Sequence, residues 1–159
     1  MVVPVHKSYR KGVGVVLIND QNKVFVAERL DSPGAWQMPQ GGIDPGEEPI
    51  EAMQRELQEE TSIPSEMIDI LAQSVDWFHY DFPSQIRHKI MGGRYVGQEQ
   101  KWFAARFMGD DALVNLATEH PEFTRWQWVL PQQVPKLIVP FKQPLYQKIM
   151  AEFSALLKG

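Results

Sequence analysis

The stretch Gly41-Gly-Ile-Asp-Pro-Gly-Glu-Glu-Pro-Ile-Glu-Ala-Met-Gln-Arg-Glu-Leu-Gln-Glu-Glu-Thr-Ser-Ile63 changes character midway, and that change decides how the rest of the chain reads. Gly41, Gly42, Pro45 and Gly46 make a loop that is neither helix nor long strand. From Glu48 to Thr61 the period becomes helical: Ile50, Met53 and Leu57 stand at i, i+3 and i+7, one face of a helix. Good helix formers, Ala52 among them, fill the other positions. Pro64 bounds the helix and biases Ile63 towards extended backbone. On such a helix Glu56, Glu59 and Glu60 share a face. Like charges at these spacings each cost a few tenths of a kcal/mol, roughly, and the segment has no Lys, only Arg55. An acidic run is most often a solvated surface. The other use of clustered carboxylates is a hard divalent cation, since Mg²⁺ prefers carboxylate oxygens and keeps waters that substrate phosphates replace.

Working outward, Val13–Ile18 and Val24–Ala27 are apolar runs separated by Asn19-Asp-Gln-Asn22, a strand hairpin. Asp31-Ser-Pro-Gly34 is a second turn, and Ala35–Met38 a short strand before Pro39. Residues 68–82 alternate and hold one or two strands, and 86–98 read as a loop. Gln100–Phe107 and Arg125–Val129 are further strands. Leu145, Tyr146, Ile149, Met150, Phe153, Leu156 and Leu157 recur at helical spacing. Trp36, Trp102, Trp126 and Trp128 are assigned to the core. Strands with one helix between them and one at the end predict an α/β or α+β layered domain, a mixed sheet with helices packed on it.

The chain has 159 residues, 43% of them hydrophobic, enough for one domain with a real core, and the whole of 1–159 is expected to form it. It has no Cys, which excludes a disulfide scaffold, a zinc finger and a cysteine nucleophile and fits a reducing compartment. No apolar run approaches the roughly 18 residues of a membrane span, and Met1-Val-Val-Pro-Val-His-Lys lacks the order of a signal peptide. A cytoplasmic location is the expectation. The net charge of −4 is uneven. Residues 47–60 hold six Glu and one Arg, a net of −5, and the remainder holds 14 acidic and 15 basic residues, a net of +1.

The quoted stretch resembles the Nudix box, G-x5-E-x7-R-E-U-x-E-E-x-G-U with U a bulky aliphatic residue, at Gly41, Glu47, Arg55, Glu56, Leu57, Glu59, Glu60 and Ile63. One position departs: Ser62 stands where the family has Gly, which would follow the helix in a left-handed cap. Ser there costs a little stability and leaves the acidic positions intact. The resemblance implies a Nudix fold, an α/β/α sandwich. It also implies hydrolysis of a nucleoside diphosphate linked to another group, with Mg²⁺ or Mn²⁺, two or three ions when substrate is bound. It carries the metal ligands onto Glu56, Glu59 and Glu60, with the Gly41 carbonyl joining them. Arg55, with Glu47, would orient and partly neutralise the cluster. The chemistry agrees: metals neutralise phosphates and lower the pKa of a bound water, and a Glu takes the proton.

Beyond the box, Ser8–Gly14, Ala35–Gly42, Gly97–Phe103, Pro121–Trp128 and Phe141-Lys142 resemble one branch of the family, over roughly residues 9–155. That branch holds bacterial RNA pyrophosphohydrolases and asymmetrically cleaving diadenosine tetraphosphate hydrolases. It implies that Glu122 approaches the metals as ligand or base, and that Arg10, Arg29, Lys101 and Lys142 bind phosphates, as charge-assisted contacts do well. Gln40 positions phosphate or metal water. Tyr80 and Phe141 stack a base, worth about 1–3 kcal/mol. Read alone, each has an ordinary role: loop carboxylate, surface cation, turn residue, core aromatic. The partner expected is a nucleotide or an RNA 5′ end, with no membrane and no DNA, and the chain is expected to act as a monomer or at most a weak dimer. Two other readings stay open: a Nudix hydrolase of nucleotide sugars or free nucleotides, and a non-catalytic Nudix module that binds nucleotides or RNA.

Overall fold

A computed structural model describes residues 8–158, so the reading of the first seven residues lies outside them. The strands are β1 Tyr9–Ile18, β2 Val24–Arg29, β3 Trp36–Gln37, β4 Gln40–Gly42, β5 Ile68–Gln73, β6 Phe78–Asp81, β7 Gly97–Phe107 and β8 Phe123–Val129. The helices are α1 Pro49–Thr61, α2 Val134–Leu137, α3 Gln143–Glu152 and α4 Ser154–Leu157. Among the described residues the strands form one mixed sheet. Its spine is β1 parallel to β7, in register from Tyr9↔Gly97 to Ile18↔Arg106. β2 and β4 pair antiparallel to β1. β3 and β8 pair with β2, and β5 and β6 with β7, all antiparallel.

Within the two central strands, Val13–Ile18 of β1 and Trp102–Ala105 of β7 are continuous apolar runs because both faces of the sheet are covered there. Val13, Val15, Leu17 and Phe103 point towards Ala52, Met53 and Leu57 of α1. Val16, Ile18, Trp102 and Ala104 point the other way, towards Leu145, Tyr146 and Ile149 of α3. A helix layer on each face gives the α/β/α sandwich. Burying each of these large apolar side chains contributes about 1.5–3 kcal/mol. Gly14 makes room for one of them, because a Cβ there would lie 2.4 Å from the Trp102 ring.

The helix α1 opens with Pro at its first position, and the Glu48 N–H donates to the Glu51 carboxylate at 3.3 Å. It ends on Ser62, left-handed at φ 69°, whose N–H donates to the Gln58 carbonyl at 2.9 Å. Here Ser occupies the cap that Gly suits best, and its hydroxyl donates to the Asn115 carbonyl at 2.8 Å. The inward stripe runs Met53, Leu57, Glu60, Thr61. Ile50, expected on that face, is 41% exposed: it lies in the first turn, and the stripe turns away from it towards a carboxylate. Trp102 is fully buried, whereas Trp36, Trp126 and Trp128 are only partly so. They pack against the two cores as cover: Trp126 stacks on Phe25 with ring centres 5.2 Å apart. The C-terminal helical pattern breaks at Phe153 into α3 and α4. No helix among the described residues is long and apolar enough to cross a membrane.

Candidate active site

Strand β4 sets the site. Its register against β1 (Gly12↔Gly42, Val13↔Gly41, Gly14↔Gln40) lays two glycines between α1 and the start of β1. The lack of side chains is used on both. A Cβ on Gly41 would fall 2.0 Å from the Glu56 carboxyl carbon, and one on Gly42 would fall 2.2 Å from Arg10 Nη2. A carboxylate and a guanidinium therefore lie against neighbouring residues of one short strand.

Beside β4 opens a cleft of about 400 Å³ whose lining holds an acidic wall (Glu56, Glu60 and Glu122) and a basic one (Arg10, Arg29 and Lys142, with the rings of Tyr80 and Phe141), together with Gln40 and Gly41. The two meet where the Leu30 N–H donates to the Glu122 carbonyl at 2.9 Å. A second hollow adjoins it over the carboxyl end of α1. Glu56, Glu60 and Glu122 line both hollows, while Glu59 lines the second, with Glu119 and His120. Residues from seven separate parts of the chain thus meet here.

The acidic wall is organised by Arg55. Its Nε and Nη2 donate to the two oxygens of Glu47 at 2.8 and 2.9 Å, a bidentate pair. Its Nη1 donates to Glu56 at 2.9 Å and to Glu59 at 3.2 Å, and Nη2 also reaches the Gly42 carbonyl at 2.9 Å. Glu47 also accepts from the Asp44 N–H at 3.0 Å. Arg55 and that N–H hold the Glu47 carboxyl down at about 2. Glu60 lies at the opposite extreme. It is 3% exposed, and burial, then the nearby Glu56 and Glu122 charges, push its carboxyl well above the usual range. Burial raises Glu56 too, against the pull of Arg55.

Among the described residues, no three carboxylate or histidine side chains stand close enough to form a metal-ligand set as they lie. Arg55 holds Glu56 and Glu59 to itself, and Glu59 is 56% exposed. The donor set nevertheless fits a divalent cation, on one observation: Glu60 Oε2 is buried with no hydrogen-bond partner. Leaving such an oxygen unpaired is costly. A cation held by Glu60 together with Glu56 and Glu122 would offset both that cost and the mutual repulsion of the carboxylates.

The basic wall is less uniform. Arg29 is paired in a fork with Asp31 at 2.7 and 2.8 Å and donates to Gln37 at 3.2 Å. Lys142 is buried, its Nζ 5.4 Å from the Tyr80 ring centre and 5.9 Å from that of Phe141. Burial, with Arg29 nearby, lowers it to about 8. Tyr80 is largely buried, and its hydroxyl accepts from Gln98 Nε2 at 2.8 Å. Phe141 is the exposed ring of the two.

Lys101 does not join them. Strand alternation puts it on the opposite face of β7 from Gln98 and Gln100. Its Nζ donates to the Val75 carbonyl at 3.1 Å and sits 5.7 Å from the Trp77 ring centre. Sequence reading also passed over Gln98 and Gln100. Their signal was present: two glutamines alternating with Trp102 in an apolar strand share its inward face.

The comparisons with known proteins agree with this geometry. The model of the NUDIX domain matches residues 8–149. A protein of Rhodospirillum rubrum named RNA pyrophosphohydrolase is 53% identical over 146 residues, covering 92% of this chain and 87% of that protein. One of the same name from Erythrobacter litoralis is 49% identical, covering 94% and 93%. Nudix hydrolase 26, chloroplastic, of Arabidopsis thaliana is 48% identical over 96% of this chain and 72% of its own. Among solved structures, the E. coli dihydroneopterin triphosphate pyrophosphohydrolase superposes with a TM-score of 0.70 at 21% identity, covering 91% of this chain and 97% of that one. A C. elegans Ap4A hydrolase gives 0.67 at 21%, covering 92% and 98%. Both are similar in fold. Nudix hydrolases generally use divalent metal ions, in keeping with the unpaired Glu60 oxygen. The family match over most of the length, the box on α1 and the sandwich that positions it together make this chain a member of the Nudix hydrolases.

Proposed function

We propose that the protein is an RNA pyrophosphohydrolase: with Mg²⁺ or Mn²⁺, two or three ions per turnover, it removes pyrophosphate from 5′-triphosphorylated RNA ends. The observation that carries this is the composition of the cleft, which brings Glu56, Glu60 and Glu122 together with Arg10, Arg29 and Lys142 and an exposed ring, Phe141. That is a place for a polyphosphate with a base at its end. The relatives named RNA pyrophosphohydrolase, at 47–53% identity, support it. A cytoplasmic location and action as a monomer go with this reading.

In this mechanism Glu56, Glu59, Glu60 and Glu122, with the Gly41 carbonyl, would hold the ions. When bound, the ions neutralise phosphate oxygens and lower the pKa of a water. Arg55 keeps Glu47, Glu56 and Glu59 in place. One of Glu59, Glu60 and Glu122 takes the proton from water as its oxygen attacks phosphorus. The bond between the α- and β-phosphates breaks, giving a 5′-monophosphate and pyrophosphate. Arg10, Arg29 and Lys142 hold the phosphates, and Phe141, against Tyr80, stacks a base.

The test offers 5′-triphosphorylated RNA and diadenosine tetraphosphate in parallel with Mg²⁺. The expected result is a higher kcat/KM on RNA, with release of pyrophosphate. A preference for the dinucleotide, with release of ATP plus AMP, would move the assignment to that substrate. Turnover of neither would point to a nucleotide sugar, a free nucleotide or a binding module.

A further inference from the structure

We infer that Gln40 faces the substrate as a hydrogen-bond donor to phosphate, and that Gln100 is the positioning residue that fixes this polarity. The cleft glutamine has two ends, an acceptor that suits a metal or its water and a donor that suits a phosphate oxygen. Which end faces the cleft is decided behind it. Trp102 is fully buried over Gly14, and its indole Nε1–H is a donor only. It donates to Gln100 Oε1 at 3.1 Å. Gln100 is itself 0% exposed. With its oxygen engaged, it turns Nε2 outward and donates to Gln40 Oε1 at 2.9 Å. Gln40 Oε1 is thereby engaged, and Gln40 Nε2 has no partner among the described residues, on a side chain that lines the cleft. Reversing any amide in this chain would set two donors or two acceptors against each other in a buried place, which costs a full desolvation penalty. The neighbouring Gln98–Tyr80 pair at 2.8 Å lacks such a lock, because a hydroxyl both donates and accepts.

The inference rests on the phosphate-bearing substrate proposed above and adds a direction to one contact. The variants are Gln40→Glu and Gln100→Met. Gln40→Glu keeps the acceptor end and replaces the donor by a charge of the wrong sign. It should raise KM for 5′-triphosphorylated RNA tenfold or more, on the scale of one charge-assisted hydrogen bond lost at about 1.4 kcal/mol per tenfold, without weakening Mn²⁺ binding. A Gln40→Glu protein with unchanged KM, or with tighter Mn²⁺ binding and higher activity, would overturn the proposal in favour of a metal-facing oxygen. Gln100→Met should raise KM by a larger factor than it lowers kcat, and should add nothing when combined with Gln40→Met. Additive effects would reduce Gln100 to a packing residue. A readout free of turnover is the Gln40 side-chain amide signal in ¹⁵N spectra on adding inorganic pyrophosphate with Mg²⁺. A shift in wild type that is lost in Gln100→Met supports the relay, and no shift overturns it. If RNA is not turned over but that signal moves, the substrate assignment fails while the donor assignment stands.

Discussion

The two walls of the cleft are built differently. The acidic wall comes largely from one continuous segment, and Arg55 latches its Glu56 to Glu47 and Glu59 of the same segment, while Glu60 and Glu122 stand outside the latch. The basic wall is assembled from β1, the end of β2 and the turn before α3, and among the described residues no carboxylate hydrogen-bonds two of its cations. The first wall carries its geometry in local sequence, since helical spacing brings Glu56, Glu59 and Glu60 together wherever the helix lies. The second exists only once the sheet has formed. A substitution in the first should therefore disturb several carboxylates at once, and one in the second should subtract a single contact.

The strongest challenge to this contrast is Glu59→Gln. Its side chain is more than half exposed, so the fold should persist, while kcat should fall by roughly 10²–10⁴, the range for loss of a positioned proton acceptor. Full turnover in a folded variant would remove Glu59 from the acidic wall's function. Next is Arg55→Met, which unlatches three glutamates together. Loss of such an orienting partner costs about 10–100-fold in metal affinity or activity. A drop confined to stability, with metal titration unchanged, would show that the latch is only structural.

On the basic wall, Lys142→Met should act through one charge. Lys142 is lowered to about 8 by burial, so its charged form is present below that pH and lost above it. Substrate KM in the wild type should then rise as pH climbs through about 8, and the variant should have a higher KM at pH 7 and lose that limb. A limb that survives in the variant assigns the titration to another group. The smallest effect should come from Ser62→Gly. Relief of the left-handed backbone at φ 69° is offset by loss of the hydroxyl's bond to Asn115, so thermal stability should move by no more than about 0.5 kcal/mol. A gain well above that would mean the Asn115 contact contributes nothing.

The same contrast explains what could be read in advance. The box, the helix and its cap at Ser62 were legible because each depends on neighbours in sequence. β1, β7 and β8 were legible as strands, β1 by its apolar run, β7 by its aromatic residues and β8 by its alternation, but the faces of β1 and β7 were not. Lys101 was expected among the phosphate-binding residues because the resemblance carried that role onto it, whereas the phase of β7, which a shift of one residue would exchange, turns it to the other face from Gln98 and Gln100. Ile50 fits the helical period, yet how far the inward stripe extends is set by where α1 lies on the sheet. Gln100 had no visible partner until β4 brought Gln40 beside it. The bidentate clasp between Arg55 and Glu47 closes over the first turns of α1 from the residue before its cap, a pair the resemblance implied but helical period alone does not describe.

The two glycines of β4 act as an insulator. With Glu56 against one and Arg10 against the next, a strand of backbone separates opposite charges: Glu56 pairs with Arg55 on its own side at 2.9 Å, and Arg10 has no carboxylate partner among the described residues. Arg29 has no such barrier and spends its resting state bound to Asp31. In the proposed reading, a phosphate would meet one arginine without a carboxylate partner and another held by Asp31, so the two should differ in what each gives up to bind it.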